Sequence, residues 1–145
     1  MKDQFDYTTT MLPHETDAVF LMDGGIETTL IFNDGFDLPH FAAFPLLETE
    51  TGRAALARYF RSYLDIARDH GVGFVLETPT WRASRDWGGL VGYDAEALDR
   101  INREAVHFVP ELARAFMGCP GCGSADFDVT AGRGVSVASI EGEAA

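Results

Sequence analysis

The stretch Ala18-Val19-Phe20-Leu21-Met22-Asp23-Gly24-Gly25 reads as a short buried strand running into a glycine turn. Its five apolar residues come in succession, without the alternation of a half-exposed strand, which suits a strand covered on both faces. Further along, Leu56, Tyr59, Phe60, Tyr63, Leu64 and Ala67 recur at steps of three and four between Thr51 and His70. That spacing predicts one amphipathic helix, with Gly71 as its stop. Val72-Gly73-Phe74-Val75-Leu76 follows at once as a second apolar strand and ends in Glu77-Thr78-Pro79-Thr80. A second helix is expected from an Asp94 cap, with Leu98, Ile101, Ala105, Phe108 and Leu112 inward and Pro110 kinking or splitting it. Residues 118–134 are glycine-rich, and Val135 to Ile140 forms a third candidate strand. Residues 1–17 read as an irregular leader with a turn near Pro13, and residues 18–145 as one domain. Strands alternating with helices argue for an α/β fold with a parallel sheet, whose ligands sit beyond the carboxyl ends of the strands.

Composition narrows the function classes. With 46% hydrophobic and 12% aromatic residues in 145, the chain has enough apolar surface to fold and is not intrinsically disordered. Its net charge of -12 argues against nucleic acid and anionic membrane as partners. Lys2 is the sole lysine, which argues against a lysine Schiff base and a P-loop lysine. No apolar run approaches the roughly 20 residues that cross a bilayer. The first 17 residues lack the apolar core of a secretory signal. Two cysteines are too few for a disulfide framework, so a reduced, cytoplasmic location is expected.

Three segments carry candidate chemistry. In Asp23-Gly24-Gly25-Ile26-Glu27-Thr28-Thr29, a strand-end carboxylate can accept from a ligand ammonium while glycine N–H groups reach an anion. Equally, Asp23 can simply cap the segment that follows. Glu77-Thr78-Pro79-Thr80-Trp81-Arg82 should lie beside it in a parallel sheet. There Glu77 supplies a second carboxylate, or else pairs with Arg82 as a solvated loop. Cys119-Pro120-Gly121-Cys122-Gly123 looks like one knuckle of a zinc ribbon, but a closed zinc site needs four ligands. His70 and His107 fall on expected helices without ligand spacing, so the alternative is a glycine-rich loop with two spare thiols. Gly132-Arg133-Gly134 precedes a strand, the wrong order for a dinucleotide loop, and no Gly-x-Ser-x-Gly elbow is present.

In order and spacing, Leu21-Met22-Asp23-Gly24-Gly25-Ile26-Glu27-Thr28-Thr29-Leu30, Ala67-Arg68-Asp69-His70-Gly71 and Phe74-Val75-Leu76-Glu77-Thr78-Pro79-Thr80-Trp81-Arg82-Ala83-Ser84 together resemble the N-terminal part of the homocysteine S-methyltransferase family. The likeness covers roughly residues 18–116. It implies the N-terminal portion of a (β/α)8 TIM-type barrel, incomplete in this chain, and zinc-dependent methyl transfer to a thiol amino acid to give methionine. It implies substrate binding by Asp23, Gly24, Gly25, Thr28, Glu77 and Thr78. The implied partners are a homocysteine-like thiol, a methyl donor, and a complementing chain or self-association through an exposed sheet edge. The family's zinc is held by cysteines late in the barrel. Cys119 and Cys122 fall too early to be those ligands, so the resemblance implies no zinc on this chain alone and no turnover by it. The alternatives are a non-catalytic amino-acid-binding or interaction module, or a small metal-binding module on Cys119 and Cys122.

Overall fold

A computed structural model describes residues 17–117. Strand β1 (Phe20–Met22) leads through Gly25 into helix α1 (Ile26–Phe32). Two 3-10 turns, Pro39–Phe41 and Phe44–Glu48, precede helix α2 (Glu50–His70). Strand β2 (Gly73–Val75), the short helix α3 (Arg85–Leu90) and the long helix α4 (Ala95–Met117) complete the described part.

Helix α2 forms where the three-and-four spacing places it. Thr49 caps it, its Oγ1 accepting from the Gly52 N–H at 3.0 Å. At the other end Gly71 adopts φ 63°, and the N–H groups of Gly71 and Val72 donate to Arg68 and Ala67 at 3.1 and 3.0 Å. This six-to-one and five-to-two pairing satisfies carbonyls that the helix end would otherwise leave bare. Helix α4 starts after the expected cap, with Asp94 Oδ1 accepting from Ala97 N–H at 2.8 Å. It runs through Pro110 without splitting.

The core lies between helices. Leu56 and Phe60 of α2 meet Phe44 and Leu47 of the second 3-10 turn, Ile101 and Ala105 of α4, and Leu30 of α1, all of them buried. Gly52 lets α2 press against that turn, because a Cβ there would stand 2.2 Å from the Leu46 carbonyl oxygen. Polar ties close the rim. Arg53 donates to Leu47 O at 2.8 Å and pairs with Glu104 of α4. Glu48 accepts from Tyr93 and Arg100 at 2.8 and 3.0 Å.

The described part is not the start of a barrel. Strands β1 and β2 do pair in parallel, Phe20 opposite Gly73 and Met22 opposite Val75, as successive βα units should. Yet the sheet has only these two strands of three residues each among the described residues, and the rest of the regular structure is helical. A barrel strand is buried on both faces, whereas Phe20 is 39% and Met22 53% exposed. The apolar run marked a strand but not a covered one; the helices bury the core instead. The third candidate strand, the glycine-rich stretch with Cys119 and Cys122, and residues 1–16 lie outside the described residues.

Candidate functional site

The parallel register brings the segments after β1 and β2 to the same sheet edge. Asp23 follows β1 directly and is half-buried against α2, where its Oδ2 accepts from Tyr59 Oη at 2.8 Å. One turn on, Tyr63 Oη donates to the Gly24 carbonyl at 3.0 Å. Gly25, at φ 74°, precedes α1, and its carbonyl accepts from Thr29 N–H at 2.9 Å. Thr28 is exposed on the first turn of α1. Burial, and then the bond to Asp23, push the Tyr59 phenol far above its ordinary value, so it stays a donor throughout the physiological range.

Glu27 joins this group. Burial raises its carboxyl above the ordinary 4.5, and the Asp23 charge adds to the rise while Arg82 opposes it. Across the edge, Glu77 is exposed and Thr78 Oγ1 shares a 2.7 Å hydrogen bond with Thr80 Oγ1. Among the described residues no ion pair joins Glu77 to Arg82. The Arg82 guanidinium packs over two indoles, 3.6 Å from the Trp87 centroid and 4.2 Å from that of Trp81.

The structure therefore gathers Asp23, Gly24, Gly25 and Thr28 around the start of α1 and leaves Glu77 facing solvent. Sequence reasoning took Tyr59 and Tyr63 as core positions only. A buried phenol needs a partner for its hydroxyl, and that need was the available signal. Among the described residues no group of three or more His, Cys, Asp or Glu side chains is arranged to hold a metal ion. No helix among them is long and apolar enough to cross a membrane.

The described part is thus a helix-rich unit with a minimal parallel sheet and a carboxylate–phenol cluster at the sheet edge. Over about a third of its length the whole chain is similar to hydrogenase maturation factors HypA. That of Pyrococcus horikoshii is 54% identical over 46 residues, 32% of this chain and 33% of the relative. That of Thermococcus sibiricus is 50% identical over 48 residues, 33% and 35% of the two chains. That of Thermococcus gammatolerans is 52% identical over 56 residues, 34% and 40% of the two chains. The chain spans about a third of the length of these relatives. No family model matches the chain. No solved structure matches it.

These matches overturn the homocysteine S-methyltransferase resemblance. That likeness rested on the succession of short motifs around strand ends, whereas identity at about half of the aligned positions points to HypA. Methyl transfer to a thiol and methionine formation fall with it. So do the homocysteine-like substrate, the methyl donor and the chain expected to complete a barrel or to pair at its sheet edge.

Proposed function

We propose that this chain is a small metal-binding module that serves hydrogenase maturation, with Cys119 and Cys122 as its metal ligands. The observation that carries the reading is its identity of about half over a third of the chain to hydrogenase maturation factors HypA. The Cys119-Pro120-Gly121-Cys122 spacing supports it, since two thiolates with two residues between them suit a soft tetrahedral ion such as zinc. Two thiolates make half of a closed site. The other half comes from a second copy of the chain, which has no further cysteine to offer. On this reading the described helical unit is a platform, the hydrogenase under maturation is the partner, and the location is cytoplasmic, where thiols stay reduced.

Metal analysis of the full chain purified without added zinc tests this. About one zinc per two chains is expected, and loss of the metal on Cys119→Ser together with Cys122→Ser. Wild-type protein carrying only trace metal rules the reading out.

The sheet-edge cluster has a separate role in our proposal. Asp23, Gly24, Gly25 and Thr28, with Glu77 and Thr78 on the neighbouring segment, offer a carboxylate-lined rim to a cationic group. The Asp23 carboxylate, oriented by Tyr59, supports that reading. Isothermal titration of a small primary ammonium compound, repeated on Asp23→Ala, checks it; equal heats from both proteins would remove the role.

A further inference from the structure

Arg82 differs from the arginines of the two long helices. Those of α2 and α4 mostly pair with carboxylates, as Arg58 does with Asp34 at 2.8 Å and Arg103 with Asp99 at 2.9 Å. Arg82 forms no ion pair among the described residues, and its buried Nε has no hydrogen-bond partner among them. Its Cζ lies over Trp87 and Trp81 instead. Stacking on aromatic faces fixes the plane of a guanidinium and leaves its N–H edge free for a planar pair of oxygens.

The surroundings select the ligand. Trp81 is 67% exposed, so an indole beside the guanidinium is open to solvent. His40 brings its ring to 6.3 Å from that of Trp87, and both His40 and Phe41 hold left-handed backbone, at φ 56° and 57°. A loop held in that conformation at two consecutive non-glycine residues is over-determined by its neighbours, as ligand-holding loops commonly are. The Glu27 carboxylate is close enough to feel the Arg82 charge, and the chain carries a net charge of -12. Both weigh against a polyanion such as phosphate and favour an acid with a single negative charge.

We propose that Arg82, with the indoles of Trp81 and Trp87, binds the carboxylate of a small monocarboxylic acid whose apolar body lies against the exposed aromatic rim. The guanidinium edge takes both carboxylate oxygens, and the indole faces take the hydrocarbon. This site is independent of the cysteine pair and of the metal reading.

The chain has two tryptophans, and both touch Arg82, so its intrinsic tryptophan fluorescence reports on this site alone. Phenylacetate, phenylacetamide and inorganic phosphate are titrated into the full chain. We expect a saturable change with phenylacetate, at least tenfold weaker binding of the neutral amide and of phosphate, and at least tenfold weaker phenylacetate binding in Arg82→Met and Arg82→Lys. Glu27→Gln, which keeps Arg82 in place, should tighten phenylacetate binding a few-fold, so the test survives if the Arg82 variants do not fold. No saturable change with phenylacetate, equal binding of the amide or of phosphate, unaltered binding in a folded Arg82 variant, or no tightening in Glu27→Gln would each overturn the proposal.

Discussion

Tyr59 in the middle of α2 donates a 2.8 Å hydrogen bond to the carboxylate of Asp23 just beyond β1, joining residues 36 positions apart. The bond anchors the sheet edge to the helix that carries the core. Hydrogen bonds to a charged acceptor contribute about 1.5–3 kcal/mol, more than neutral ones. Tyr59→Phe and Asp23→Asn should each lower stability by about 1–2 kcal/mol in urea unfolding. The double variant should fall short of the sum by about 1 kcal/mol, because the two share one interaction. Strict additivity would mean that the bond is not formed in solution.

Glu27 links this edge to pH. Its folded carboxyl sits above the ordinary 4.5, chiefly through burial. The folded state therefore holds its proton at pH values where the unfolded chain has released it. Stability from this group is full below about pH 4.5 and is lost as pH rises through the folded value. Glu27→Gln should consequently match the wild type at pH 4 and exceed it at pH 7. Since the side chain is only partly buried, the gain should stay below about 1 kcal/mol. Urea midpoints at the two pH values measure it, and a gain of equal size at both would contradict the assignment.

Gly52 sits where helix α2 meets the Leu46 carbonyl, with no room for a Cβ. Gly52→Ala normally favours a helix interior by up to ~1 kcal/mol. Here overpacking against backbone should reverse that sign, and a net loss of about 2–3 kcal/mol is expected. Thermal unfolding followed by circular dichroism decides between the two signs.

The two long helices were legible because their periodicity is a property of the chain alone: Leu56, Phe60 and Leu64, or Ile101, Ala105 and Phe108, must share a face in any helix. The first two strands were legible in position and in parallel pairing, yet not in burial. Phe20 and Met22 show why, since an apolar residue in a strand does not say what will cover it. The same gap misled the reading of fold and family, because strand-end motifs such as Asp23-Gly24-Gly25 describe a sheet edge and not how many strands complete the sheet. At the site, Asp23 and Gly24 were visible as chemistry. Tyr59 and Tyr63 were hidden by their place on a core face, and the alternative that paired Arg82 with Glu77 missed the tryptophans that are its neighbours.

Cobalt(II) titration of the reduced full chain tests the metal-module account most directly, because thiolate-bound cobalt absorbs where the free ion does not. The account predicts a thiolate-to-cobalt band that rises to an end point near half an equivalent per chain, is displaced by zinc, and is absent in Cys119→Ser with Cys122→Ser. A wild-type chain that develops no such band, or a band that persists in the double variant, would contradict it.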